Sequence, residues 1–161
     1  MHTETNYIAI QQEDFQVQAL HDWLSQNNTR DGAIVTFVGL VRDFNQGNKV
    51  KGLYLEHYPS MVEKSLNNII ERARTRWSIG RVCVVHRVGE LTLNDNIVFV
   101  GVSAEHRKTA FEACQFVMDY LKSQVPIWKK EQGSDGQYWV KPNDTEALEF
   151  AKWQDPKVSS N

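Results

Sequence analysis

The apolar residues of this chain change their period as it is read, and the order of those changes constrains the fold more than any other feature. Residues 7–10 form a short strand-like run. Residues 14–26 repeat Val17, Leu20, Trp23 and Leu24 at spacings of three and four, the helical period. Residues 33–41 are rich in β-branched and aromatic side chains, which suit a strand. A loop is expected at 43–48, with Gly47 as its turn residue. Leu53, Leu55 and His57 then alternate with Tyr54, Glu56 and Tyr58, the period of a strand. A second helix opens where Ser60 and Glu63 have capping-box spacing, and it closes by Gly80. Its stripe is Val62, Leu66, Ile69, Ile70, Ala73 and Trp77. Residues 82–88 and 97–102 are strands joined through Asn94, Asp95 and Asn96.

A third helix spans 107–123, with Thr109 and Glu112 again at capping-box spacing. Ala110, Cys114, Val117, Met118 and Leu121 line one face, and Pro126 stops it. Residues 127–131 and 137–140 read as a hairpin across Gly133 and Gly136, and 145–153 as a last short helix. Strands that come in adjacent pairs favour antiparallel contacts. The expected fold class is therefore α+β: a single domain with a mixed, mostly antiparallel sheet, packed helices and a C-terminal hairpin. The whole of 1–161 forms that domain, with its core at about 5–153 and a frayed tail at 154–161.

Composition narrows the function. A chain of 161 residues with 41% hydrophobic and 24% charged residues suits one globular domain. A formal net charge of -2 argues against a broad nucleic-acid footprint. No run reaches the length of a membrane span, and the polar residues 1–7 do not read as a signal peptide, so a cytoplasmic location is expected. Cys83 and Cys114 belong to no CxxC pair and sit in apolar segments, which points to two buried reduced thiols rather than a disulfide or a metal site. No P-loop, dinucleotide fingerprint, HExxH or GxSxG motif is present. Neither a metal nor a cofactor is called for.

What stands out is cations at element ends, where a scaffold presents groups to a ligand. Arg42 follows the strand 33–41. His106, Arg107 and Lys108 stand at a strand-to-helix junction, Lys122 near the end of that helix, and Lys129 and Lys130 just after Pro126. A phosphate is the natural guest of such a set, above all near a helix N-terminus. The plain alternative is that a lysine late in a helix only complements the dipole, and that Glu105 and Glu112 pair with these cations on the surface. Lys122 borders the apolar stripe, and a partly desolvated lysine among cations has a lowered pKa and can act as a base or nucleophile. His21, His57 and His86 show no metal-ligand spacing and read as structural.

Four segments carry a resemblance: GAIVTFVGLVRDFN (32–45), LEHYPSMVEKSL (55–66), GRVCVVHRVGEL (80–91) and IVFVGVSAEHRKTAFEACQFVMDYLKSQVPIWKKE (97–131). In this order they resemble the large, catalytic subunit of molybdopterin synthase, over roughly residues 5–153. The resemblance implies a sulfurtransferase that adds two dithiolene sulfurs to cyclic pyranopterin monophosphate. It implies a small ubiquitin-like partner whose C-terminal Gly-Gly thiocarboxylate supplies the sulfur, and a large-subunit dimer within a heterotetramer. By the same resemblance Lys122 and Lys129 are catalytic. Leu40, Val41, Arg42, His106, Arg107, Lys122, Lys129, Lys130 and Glu131 bind substrate. Lys141 stands where related sequences can carry an arginine. Two other classes also fit the cations alone: a docking module for a ubiquitin-like protein, and a sensor of a phosphorylated ligand.

Overall fold

The computed structural model describes residues 3–45, 48–133, 136–140 and 144–154. Among them the elements run β1 (Asn6–Gln11), α1 (Val17–Ser25), β2 (Ala33–Leu40), β3 (Phe44–Asn45), β4 (Asn48–His57), α2 (Pro59–Arg76), β5 (Val82–Arg87), β6 (Gly89–Thr92), β7 (Asn96–Ala104), α3 (Arg107–Gln124), β8 (Ile127–Gly133), β9 (Gly136–Trp139) and α4 (Asp144–Ala151). A 3-10 turn, Lys152–Gln154, follows α4. The class is α+β, as the alternation of periods implies. The strands, however, divide between two sheets.

The first sheet has the order β1-β5-β7-β2, and within it β1 and β5 are the parallel pair. Both of its faces are covered, which is why β5 reads as an unbroken apolar run rather than an alternation. Val82 and Val84 face α2 and α3, while Cys83 and Val85 join Leu20 and Leu24 of α1 on the other side. Helix α1 lies so near β7 that a Cβ at Gly101 would stand 2.5 Å from Leu24 Cδ1. Arg81 holds the end of α1 by donating from Nη1 to the carbonyls of Trp23 and Gln26, each at 2.6 Å.

In the second sheet β4 is flanked by β6 on one side and β8 on the other, with β9 beyond β8. Val41, Val50, Leu53, Leu55, Val88 and Leu91 form its core. Ile10, Ile97 and Ile127 pack against both this cluster and the main one, so the sheets meet along a shared apolar seam. Gly89, at φ +83, makes the turn by which the chain leaves β5 and enters β6.

Several local expectations are corrected. Residues 43–48 are not simply a loop: Phe44 and Asn45 pair with Lys49 and Asn48, while Gly47 lies outside the described residues. Helix α2 starts with Pro59 in its first turn and Tyr58 as N-cap, so Ser60 is already inside it and makes no cap. A proline supplies the fixed φ a first turn needs. The helix ends at Arg76, before Gly80, because Arg74 in its last turn donates to the carbonyls of Ile79 and Gly80 outside it. Helix α3 likewise has no side-chain cap; Glu112 instead accepts from Trp77 Nε1 at 3.1 Å. The short strand β6 was not expected at all. Lys141 and residues 155–161 lie outside the described residues.

Candidate functional site

Strand β7 passes into α3 through Glu105 and His106 alone, so the helix doubles back along the strand it has just left. Cys114, midway along α3, donates its thiol to Val100 O at 3.8 Å, midway along β7. The last turn of α3, with Lys122, therefore returns to the end of the sheet where β7 begins. Leu40 pairs with Asn96 at that end, and His86 pairs with Val98. The chain leaves β2 there through Val41 and Arg42.

Val41 is buried and fixed by its backbone: its N–H donates to Asp95 O at 3.0 Å, and its carbonyl accepts from Asn94 N at 2.9 Å. Its neighbours point outward, Leu40 at 48% exposure and Arg42 exposed as well. Lys122 is exposed.

Strand β8 adds Lys129 and Glu131. They lie opposite Leu55 and Leu53 of β4, on the inward face, and Glu131 is only 2% exposed. Lys130 takes the other face by the period of two. It lies opposite Tyr54 and sets its Nζ 5.4 Å from the centre of the Trp139 ring. A cleft of about 460 Å³ opens on that outer side, lined by Gln12, Tyr54, Glu90, Lys130 and Gln137. The structure thus separates Lys130 from Lys129.

His86 shows which groups meet. It is 6% exposed, and its pKa is pushed down to about 4. Burial is the main cause; a hydrogen bond to Arg87 O opposes it, and the charges of Lys122, Lys129 and His57 lower it further. One buried imidazole thus feels a lysine from α3, a lysine from β8 and a histidine from β4. Sequence reasoning treated His86 and His57 as structural and missed this. The only signal available was His86 interrupting a face otherwise built of Val82 and Val84.

His106 and Arg107 are not part of this gathering. They occupy the N-cap and first position of α3. His106 Nε2 lies 3.4 Å from Glu105 Oε1, with both side chains 76% exposed, and Lys108 Nζ lies 3.9 Å from Glu112 Oε1. At 1.5 Å per residue, the 15 positions from Arg107 to Lys122 span about 22 Å. The two ends of α3 therefore present their cations to different regions of this chain's surface. Among the described residues no three of His, Cys, Asp and Glu gather as a metal would need, and no helix is long and apolar enough to cross a membrane.

A two-sheet α+β protein that collects lysines and histidines at one end of a central helix is the class these observations define. The family follows from comparison: the family model described as MoaE protein matches residues 10–124, and the chain belongs to that family. It is 51% identical over 146 residues to the molybdopterin synthase catalytic subunit of Pasteurella multocida, covering 91% of this chain and 97% of that one. Among solved structures, the molybdopterin biosynthesis MoaE protein from Burkholderia ambifaria superposes with a TM-score of 0.80 at 44% identity, covering 94% of this chain and 99% of that one. A Helicobacter pylori structure, described as a complex of subunits 1 and 2 of molybdopterin-converting factor, shares the fold with a TM-score of 0.69 at 20% identity, over 83% of this chain and 90% of that one.

Proposed function

We propose that this chain is the catalytic subunit of a molybdopterin synthase. It converts cyclic pyranopterin monophosphate to molybdopterin, adding two dithiolene sulfurs delivered as the C-terminal thiocarboxylate of a small ubiquitin-like subunit. The observation that carries this reading is the 51% identity to a catalytic subunit over 91% of this chain, with Lys122 in the last turn of α3 and Lys129 on β8. The small partner is supported by the Helicobacter pylori complex of two subunits. A match that covers 91% of this chain and 97% of a single relative supports one domain. The two buried free thiols fit a reducing, cytoplasmic setting.

A thiocarboxylate is already a good nucleophile. The protein has to hold it against the pterin, neutralise charge and move protons. Lys122 is the acid–base group and Lys129 its companion. Arg42 anchors the phosphate by paired hydrogen bonds, Leu40 and Val41 form the wall beside it, and Glu131 completes the β8 side, while Lys130 stands on the opposite face of that strand. The separation along α3 favours a site shared between two copies: on this reading His106 and Arg107 serve the Lys122 site of the other chain in a dimer, and each such site takes one small subunit.

The test is reconstitution with thiocarboxylated carrier and cyclic pyranopterin monophosphate, reading dithiolene product. Wild type should turn over and Lys122→Ala should lose nearly all of that activity. Normal turnover by the Lys122→Ala protein would sink the assignment. A mixture of Lys122→Ala and Arg107→Ala chains tests the dimer. Each mixed dimer holds one intact site if the residues come from different copies, so random exchange should restore about a quarter of wild-type activity. No recovery would place both residues in one chain's site and overturn the shared arrangement.

A further inference from the structure

Strand β2 is an edge of the first sheet: among the described residues it pairs with β7 alone. The ladder shows which backbone groups are left over. Ser103 turns both its polar groups toward β5, donating from N to Arg81 O at 2.9 Å and accepting from Gly80 N at 2.8 Å. Ile34, opposite Ser103, therefore belongs to a pair without hydrogen bonds, and the alternation of an antiparallel ladder gives Thr36 and Val38 the same state. Val41, of the other parity, donates from N to Asp95 O at 3.0 Å. Ile34, Thr36 and Val38 thus present their N–H and C=O groups along the open edge.

Nothing blunts that edge. Ala33–Leu40 holds no charge and no proline over eight residues, and Thr36, Phe37 and Leu40 are exposed. Bare edges of this kind are usually shortened, charged or covered, because they template another strand. The direction of β2 says where such a strand would lead. It runs toward Leu40, Val41 and Arg42, and α3 lies across β7 and β2 with Lys122 in its last turn, at that same end. A strand added parallel to β2 ends beside these residues. An antiparallel one ends near Ala33, at the His106 end of the helix.

We propose that the C-terminal tail of the small subunit binds as an added strand, parallel to β2 along its open edge, and that this delivers its terminal group to the Lys122 end of α3. This rests on the molybdopterin synthase reading given above. A tail that ends in Gly-Gly offers no side chain there to recognise. Main-chain hydrogen bonds are the handle that remains, and strand addition supplies them. The register of the tail on Ile34, Thr36 and Val38 then sets how far its end reaches past Leu40.

The probe is the small ubiquitin-like subunit with a plain C-terminal carboxylate, so that no turnover occurs. The readout is amide hydrogen exchange by NMR in the whole large subunit. In the free protein the Thr36 and Val38 amides should exchange quickly and those of Val35 and Phe37 slowly, because only the latter pair bonds to β7. With the carrier bound, Thr36 and Val38 should slow at least about tenfold. A carrier shortened by about six residues, enough to pair with 35–40 at about 3.3 Å each, should bind without that protection. Thr36→Pro removes one outward donor and leaves the β7 ladder whole. Carrier affinity should fall about threefold to tenfold, the scale of one lost hydrogen bond, while Thr36→Ala keeps it. A spin label on the last residue of the tail should broaden Leu40 and Arg42 and spare Ala33. Carrier binding that leaves Thr36 and Val38 fast overturns the proposal, as does broadening at Ala33. Protection already present in the free protein would give the edge to a second copy and overturn it too. If the carrier protects only other amides, this inference alone falls; if it protects none, the functional reading falls with it.

Discussion

Two helices of this protein end on a cation, and the two cations lead different lives. Arg76 closes α2 and Lys122 stands in the last turn of α3, so by sequence each complements a helix dipole. Arg76 is caged. Its guanidinium carbon lies 5.5 Å, 5.1 Å and 5.4 Å from the ring centres of Trp77, Phe116 and Trp153, and Nη1 donates to Trp153 O at 2.9 Å. Nε and Nη2 are buried with no hydrogen-bond acceptor, so π faces take the place of oxygens. Trp153 is itself tied down by Nε1 donating to Asp119 Oδ2 at 2.6 Å. Lys122 is one turn further along α3 from Asp119, yet it is exposed and shares its surroundings with Lys129 and a buried histidine. The lesson is that enclosure, not position along the helix, divides a cation that holds the fold from one that meets a ligand.

The sharpest way to break this contrast is to exchange the phenotypes. Lys122→Ala should cost about three orders of magnitude in turnover, within the range of a lost acid–base group, and leave the melting temperature where it was. Arg76→Ala should do the reverse, destabilising by about 3 kcal/mol through lost cation–π contacts and an emptied cage, with turnover per folded molecule kept. Chemical denaturation beside single-turnover assays reads both. A stable, inactive Arg76→Ala protein would erase the distinction.

Acid should reveal His86 next. Its folded pKa of about 4 lies below the ordinary value of 6.5, so the unfolded chain binds the proton first as pH falls. The stability this group contributes is whole above pH 6.5 and drains away between there and about pH 4, a loss on the order of 3 kcal/mol. His86→Gln has no such proton to bind. The difference in unfolding free energy between wild type and this variant should therefore shift against wild type as pH drops from 7 to 5. A pH-independent difference would mean that His86 is not held neutral.

The smallest effect belongs to Lys130→Ala. Its side chain faces away from Lys129 and rests on Trp139, so turnover should change by no more than about threefold, the scale of an exposed cation–π contact. A loss as large as that of Lys129→Ala would show that the two faces of β8 serve one site.

The sequence was informative wherever one period decided the answer. The α2 stripe Val62, Leu66, Ile69, Ile70, Ala73 and Trp77 is buried as its spacing implies, and Pro126 follows the end of α3. Helix α3 exceeded its pattern: Ala113, Phe116, Asp119 and Tyr120 are buried beside the expected stripe, because α2 and α4 cover sides that the sheet does not. The capping boxes misled, since a four-residue spacing says nothing of a proline before it or a tryptophan across the core. At the site, the cations were visible as residue types but not as a set. Lys129 and Lys130 are neighbours in sequence and opposites on a strand. His86 and Lys122 are 36 positions apart and come together only because α3 folds back on β7.

The two sheets meet at a narrow joint of Ile10, Ile97 and Ile127. Lys122 and His86 are mounted on the first sheet and its helix, while Lys129 and His57 are mounted on the second. The lysine pair is therefore divided between two sheets, and its spacing is set by how the apolar side chains of that seam fit together rather than by either sheet alone.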